Sequence, residues 1–340
     1  MVRVFSQQNI PTPESIEKSK EKQKFRLLKF LKFFRFLKQH WNFQQLKKRW
    51  YKIKTSRRAF ISTVAGGSFL GGIAFHYALF VESRWIQIKK YTISATNLPP
   101  CFDGTKIVFI TDSHHGSRRS YNLLEKTVRL AQQQSPDLIV LGGDYCNNHE
   151  EETIQQCFTA FQHLSAPLGV YGVLGNHDYK RTQTLNAMRD AGIRPLVNEA
   201  FWLIRNDSRI LLGGLDDDWA GTPSFAPIQQ HILVSPFTII LTHNPDVTEN
   251  LTEEGKKRID LILAGHSHGG QVTLFGLYAP VSVVKKKYLT GLVKPFDNAK
   301  IRVIISNGIG TSGPPLRFFA PPQIVVVTLK KNLMSEYTAF

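Results

Sequence analysis

The chain has 340 residues, 43 Lys+Arg against 26 Asp+Glu for a formal net charge of +17, 42% hydrophobic residues and three cysteines. Such a composition supports a sizeable core and excludes a mainly disordered chain, and the length allows one large domain or two ordinary ones. The charge is uneven: residues 1–60 hold 17 Lys+Arg and 3 Asp+Glu, a net of +14, and the other 280 residues hold 26 and 23, a net of +3. This is a near-neutral body with a basic arm, which argues against a protein that coats nucleic acid. Cys101, Cys146 and Cys157 are odd in number and lack Cys-x-x-Cys spacing, so neither a disulfide framework nor a zinc knot is indicated.

Along the chain, the predicted arm covers residues 1–58. Residues 1–24 are polar, contain Pro11 and Pro13, and show no apolar periodicity. From 25 to 37 the run FRLLKFLKFFRFL places Arg26, Lys29, Lys32 and Arg35 at three-residue steps, so on a helix the basic groups drift around the axis instead of forming one polar face. With Trp41, Trp50 and Tyr51 interleaved among Lys47, Lys48 and Arg49, the stretch 25–54 suits a bilayer interface, where basic stems snorkel and aromatic rings enter the acyl boundary. An anionic membrane surface is therefore the expected partner of residues 25–58.

Residues 59–81 (AFISTVAGGSFLGGIAFHYALFV) carry no formal charge, follow Arg57-Arg58 and precede Glu82. Their length suits one spanning helix and predicts a membrane anchor. The positive-inside rule then keeps the arm in the cytoplasm and turns the body outward. The string Ser56-Arg57-Arg58-Ala59-Phe60-Ile61 also resembles a twin-arginine export signal, although 55 residues precede it and no small-x-small cleavage site follows.

Residues 86–332 read as the catalytic body, with Val/Ile/Leu-rich strands alternating with amphipathic stretches, the pattern of a layered α/β domain. Polar motifs fall at strand ends. The run 106–111 (KIVFIT) leads into Asp112-Ser113-His114, 137–141 (DLIVL) into Gly142-Gly143-Asp144, and 170–174 into Gly175-Asn176-His177-Asp178. Further on, 237–242 (FTIILT) leads to His243 and 260–264 (DLILA) to Gly265-His266-Ser267-His268. Each signal alone is ordinary, since an Asp before a turn caps helices and a lone His at a strand end is usually structural. Five of them in order point to loops that converge on one crevice at the strands' carboxyl ends.

The order D-x-H, G-D, G-N-H-D, T-H, G-H-x-H resembles the calcineurin-like metallophosphoesterase superfamily. The resemblance implies a four-layer α/β/β/α sandwich with a dinuclear metal site at the strand C-termini. It implies that Asp112, His114 and His268 hold one divalent ion, that Asn176, His243 and His266 hold another, and that Asp144 bridges both. His177 would be no ligand but the catalytic group beside the leaving oxygen, assisting its departure as water attacks phosphorus in line. A donor set without thiolate favours Mn²⁺, Fe, Zn²⁺ or Co²⁺.

The stretch Ser306-Asn307-Gly308-Ile309-Gly310-Thr311-Ser312, with Pro314-Pro315-Leu316-Arg317-Phe318 after it, resembles the bacterial membrane-associated phosphodiesterase branch. That branch includes UDP-2,3-diacylglucosamine pyrophosphatases of lipid A biosynthesis. The expected substrate is therefore a phosphorylated lipid or nucleotide-lipid at the bacterial inner membrane. Because that nucleotide-lipid is made in the cytoplasm, the outward orientation conflicts with it: either 59–81 does not span in the expected sense or the substrate is another phosphoester. An exported phosphodiesterase of broad specificity is the alternative, and a non-catalytic membrane adaptor is the alternative of a different class. Four softer features stand beside these: His115 as an exposed neighbour, Asp216-Asp217-Asp218 as a solvated turn, Lys285-Lys286-Lys287 as a contact for anionic headgroups or substrate phosphate or else a solvated surface, and Arg317 as a phosphate clamp or an internal ion-pair partner. Asp178 is expected either to orient His177 or to cap a helix.

Overall fold

The computed structural model describes residues 57–332, apart from 117, 149, 179, 277, 298 and 299. The arm expected at 1–58, with its amphiphilic segment 25–54, lies outside the described residues except for positions 57 and 58. The chain divides into two compact units, residues 1–71 and 72–340. Helix α1 (Arg57–His76) continues through a π turn (Tyr77–Val81) and a 3-10 turn (Glu82–Arg84). Over Phe60–Arg84 it is the one helix among the described residues long and apolar enough to cross a membrane.

Beyond it, among the described residues, twelve strands form two six-stranded sheets. The first runs in the order β1 (Gln87–Ala95), β12 (Gln323–Lys331), β2 (Lys106–Ile110), β3 (Leu138–Leu141), β4 (Val170–Gly172), β5 (Arg194–Pro195). The second runs β10 (Gly291–Val293), β11 (Arg302–Ile305), β9 (Leu261–Ala264), β8 (Thr238–Thr242), β7 (Ser208–Gly214), β6 (Glu199–Arg205). Strands β2 to β5 are mutually parallel, as are β7, β8, β9 and β11.

The residue pattern explains the layers. Strand β2 sends Ile107 and Phe109 to one side and Val108 and Ile110 to the other, and all four are buried, so the strand reads as a continuous apolar run. Ile107 and Phe109 join Leu138, Val140, Leu241 and Leu263 in a core between the sheets. Val108 and Ile110 meet Leu124 of α2 (Arg118–Gln132), Phe158 of α3 (Glu151–Phe161) and Met188 of α4 (Arg181–Asp190) on the outer face. Across the molecule Leu211, Ile240 and Ile262 pack on Ile228 and Ile232 of α5 (Ala226–Val234). This is the α/β/β/α sandwich expected from the motif order. The five motif-bearing strands divide between two sheets, β2 to β4 in one and β8 and β9 in the other, so the crevice is built where the carboxyl ends of both sheets meet.

The β6–β7 hairpin carries no chemical motif. Its two-residue turn, Asn206-Asp207, has both residues at positive φ, the geometry that matches strand twist and that Asn and Asp tolerate.

Candidate dinuclear metal centre

Each motif loop takes an abrupt turn as it leaves its strand. Asp112, His114, Asp144, His266 and His268 all adopt positive φ, between 43° and 66°, a region costly for non-glycine residues and concentrated at functional sites. The motif glycines allow the loops to close on the carboxylates. A Cβ on Gly265 would collide with Asp112 Oδ2, and one on Gly175 with Asp144 Oδ1. The two sheets are tied at this point by the His266 amide, which donates to Asp112 Oδ1 and Oδ2 at 3.1 and 3.2 Å.

Two three-residue clusters result, Asp112–His114–His268 and Asp144–His243–His266, all buried, with their candidate donor atoms within 4.8 Å of one another in each. In the first, His114 Nε2 faces His268 Nε2 at 3.1 Å and His268 Nε2 lies 3.4 Å from Asp112 Oδ1. In the second, His243 Nε2 lies 3.1 Å from His266 Nδ1 and 3.2 Å from Asn176 Oδ1. Asp144 Oδ2 stands between them, 3.4 Å from His114 Nε2 and 3.2 Å from His243 Nε2. The structure thus brings together all seven residues that the motif order singled out, with Asp144 in the middle.

The donor set fits two divalent cations. Asn147 Nδ2 donates to the His114 carbonyl at 2.9 Å, so its Oδ1 accepts from His114 Nδ1 at 2.8 Å and leaves the Nε2 lone pair turned inward. His243 Nδ1 likewise donates to the Gly142 carbonyl at 2.8 Å, freeing its Nε2. His266 Nε2 is buried without a hydrogen-bond partner. The facing nitrogens of each cluster, 3.1 Å apart, are close enough to share a proton, and a divalent cation that displaces that proton finds nitrogen and carboxylate donors already gathered around it.

Charge agrees. Burial lowers His114 to about 4 and His266 to about 3, and pushes His268 down too, so all three are neutral at pH 7. Burial also lowers His243, but the adjacent carboxylates, Asp144 foremost, outweigh it and raise it to about 10. For Asp144 burial opposes ionisation, yet His243, His114 and His177 together hold its carboxyl well below the usual range. Burial raises Asp112 to about 6, with His243 opposing and Asp144 reinforcing. A site that holds an imidazolium against two carboxylates without metal is one a metal cation can take over.

His177 sits at the lip, partly exposed, its ring 5.0 Å from that of His114 and its amide donating to Asp144 Oδ1 at 2.7 Å. It is placed beside the clusters and contributes to neither. Asp178 does not orient it: the Asp178 carboxylate accepts from the amides of Asp144, Tyr145 and Gly175 at 2.8 to 3.0 Å, fastening the β3 and β4 loops together.

Other expectations change. His115 is buried rather than exposed, held by Ser120 Oγ at 3.2 Å and Gln156 Oε1 at 3.4 Å. Asp216 and Asp217 are buried rather than solvated: Asp216 accepts Arg181 Nη2 at 2.7 Å and Asp217 accepts the amides of Trp219 and Ala220, leaving only Asp218 exposed. This loop carries Trp219, 57% exposed, whose ring lies 4.5 Å from that of His266. Arg317 is neither clamp nor ion-pair partner. Wholly buried, it donates to the carbonyls of Gly310, His268, Ala320 and Asn307 and so holds the loops behind His268. Lys287 pairs with Glu249 at 2.7 Å, and Lys285 and Lys286 are exposed. The three thiols are free. Asn147 and Trp219 belong to the site without belonging to any motif.

The family model described as calcineurin-like phosphoesterase matches residues 105–270, the stretch that supplies both clusters. Over 290 residues the chain is 30% identical to YkuE, an uncharacterized metallophosphoesterase of Bacillus subtilis (strain 168), spanning 82% of this chain and 99% of that one. This chain belongs to the calcineurin-like metallophosphoesterases. It is also 30% identical over 249 residues to the phosphodiesterase YaeI of Escherichia coli (strain K12), covering 70% of this chain and 87% of that protein. Among solved structures, a dimetal phosphatase from Danio rerio matches 66% of this chain and 99% of its own at 13% identity and a TM-score of 0.43. This metallophosphoesterase is a hydrolase of phosphoester bonds that works with two divalent metal ions.

Proposed function

We propose that this metallophosphoesterase is a membrane-anchored phosphodiesterase of the bacterial inner membrane that cleaves a phosphodiester or pyrophosphate bond in a lipid-linked substrate, with UDP-2,3-diacylglucosamine as its specific target. The observation that carries the reading is the tie between the apolar helix and the site. The Arg317 amide donates to the Ala78 carbonyl at 3.1 Å, the Ala320 amide donates to the buried Glu82 carboxylate at 2.6 Å, and the Arg317 guanidinium reaches the His268 carbonyl. A lipid substrate held in the bilayer beside this helix needs no long excursion to reach the clusters.

In this reading Asp112, His114 and His268 hold one ion, Asn176, His243 and His266 the other, and Asp144 both. When bound, the ions supply charge neutralisation at the phosphoryl oxygens and acidify a water nucleophile. The chain's residues do the rest. Asn147 and the Gly142 carbonyl fix the two imidazoles that face Asp144. The Asp178 carboxylate locks the Asp144 backbone, and His177, at the lip, donates a proton to the departing oxygen.

A second reading, an exported phosphodiesterase, is favoured by the +14 arm, which the positive-inside rule keeps in the cytoplasm. One experiment separates the two. Full-length protein is incubated with UDP-2,3-diacylglucosamine and with a generic aryl phosphodiester, with Mn²⁺ or with chelator. Release of UMP and lipid phosphate only with metal supports the first reading. Turnover of the aryl ester alone supports the second, as does digestion of the body by protease added to spheroplasts.

A further inference from the structure

Immediately after His268 the chain leaves the clusters and builds an apolar rim. Leu274, Phe275, Tyr278, Val281 and Val283 are all exposed, Phe275 at 69%, and they are joined by Phe319 at 44%. Single exposed apolar residues are common, but a contiguous group marks an interaction surface. This group is held in place rather than loose. The Leu274 amide donates to the Tyr278 carbonyl at 2.8 Å, the Gly276 amide to Thr273 Oγ1 at 2.9 Å, and residues 271–273 bond to Phe318 by both its amide and its carbonyl. Phe275 and Phe319 both sit at positive φ, 56° and 54°, a backbone region that bulky side chains avoid. The fold thus bears strain while presenting two phenyl rings to the outside.

The identity of what covers them follows from continuity with the apolar helix. An unbroken series of ring contacts runs from Tyr77 to Phe318 (6.5 Å), from Phe318 to Phe319 (4.6 Å) and from Phe319 to Phe275 (5.4 Å). A bilayer core takes about 20 helical residues, so a span that begins at Phe60 reaches its boundary near Leu79. The body hydrogen-bonds this helix at Ala78, on that boundary, with no spacer between. Arg84 and Trp85 follow, the latter exposed, with the chemistry of the headgroup belt. Past the apolar rim come the exposed Lys285 and Lys286, the charge that anionic headgroups attract.

We infer that the rim formed by Leu274, Phe275, Tyr278, Val281, Val283 and Phe319 docks into the same bilayer leaflet as the end of the apolar helix, with Phe275 and Phe319 in the acyl region, so that the mouth of the metal centre is held against the headgroups. This rests on the reading of Phe60–Arg84 as a membrane span. It goes further in assigning a second membrane contact to the body itself, made, Phe319 apart, by residues that lie six to fifteen positions beyond the candidate ligand His268.

The test uses full-length protein reconstituted in vesicles of phosphatidylcholine and phosphatidylglycerol. A small fluorophore is attached at a single introduced cysteine in a Cys101→Ser background: Phe275→Cys, Ile204→Cys on the opposite edge strand β6, or Phe69→Cys within the helix. Nitroxides on the upper acyl chain should quench the label at 275 as strongly as a shallow membrane residue, at least about threefold more than at 204, given insertion of about 5–10 Å. The double variant Phe275→Ser, Phe319→Ser, labelled at Leu274→Cys, should lose this quenching while hydrolysing a soluble aryl phosphodiester at the unaltered rate. Quenching at 69 with none at 275 overturns the docking and leaves the span standing. Absence of quenching at both positions overturns the two together. A disulfide linking position 275 of two copies in vesicles overturns the docking in favour of a second copy as the occupant.

Discussion

Around Asp144, candidate ligands from two sheets are buried, polar and mostly held in left-handed backbone. Around Phe275, a handful of residues beyond His268, the side chains are exposed and apolar, and one of the same backbone distortions serves to push a ring outward. Both regions invert the usual rule for where polar and apolar groups belong. Polar groups inside carry a cost that a bound cation removes, and apolar groups outside carry one that a lipid phase removes. The contrast teaches that the two regions call for different complements from outside the chain: ions at the clusters and, in the docking proposed above, a bilayer at the rim.

The strongest way to break the comparison is at the bridge. Asp144→Ala removes the carboxylate that stands between ring nitrogens of both clusters and should lower turnover by roughly 10³-fold or more, on the scale of losing a central electrostatic group. Near-normal metal-dependent hydrolysis by this variant would remove the bridging assignment. His177→Ala should cost about 10²–10⁴-fold, the range of a general acid, while its backbone amide still serves Asp144 and metal content stays at the wild-type level. The deficit should shrink for substrates with good aryl leaving groups; an equal deficit for alkyl and aryl esters would contradict proton donation. Asn147→Ala should leave the ligands in place but unfix the His114 ring, weakening metal affinity about 10- to 100-fold, with turnover recovered at saturating metal. Failure to recover would assign Asn147 a direct part in the reaction.

The smallest effect concerns protons. The metal-free site carries a proton on His243, raised to about 10, and partly one on Asp112, raised to about 6. Metal loading must displace them, so affinity should rise with pH and fall in acid, and calorimetry in buffers of different ionisation enthalpy should register proton release at pH 7. Uptake, or no exchange, would mean that His243 is not displaced from its pairing with Asp144.

Legibility in the sequence divided along the same line. Asp112, Asp144 and the histidines stood out because metal chemistry accepts few residue types and the strands deliver them at fixed points. The layered α/β class followed from the same strands, with boundaries displaced by no more than about two residues, whereas the four-layer sandwich was implied by the family resemblance of the motif order. Asn147 carries no such mark: a polar residue in a turn is unremarkable until folding sets it against His114, 33 positions earlier. Burial was equally hidden for Asp217, His115 and Arg317, since charged residue types are read as solvated and nothing in the sequence marks their partners: nearby amides for Asp217, the side chains of Ser120 and Gln156 for His115, and four backbone carbonyls for Arg317. The rim around Phe275 escaped for the opposite reason, because apolar residues in a sequence suggest core and only the fold reveals that they stand exposed.

Metal content measured alongside hydrolysis tests the central claim most directly. Full-length protein loaded with Mn²⁺ and freed of excess should hold two ions per chain, cleave an aryl phosphodiester, and lose both ions and activity together on chelation, whereas Asp144→Ala should retain neither full occupancy nor turnover. Full activity in a protein holding one ion or none would contradict the account.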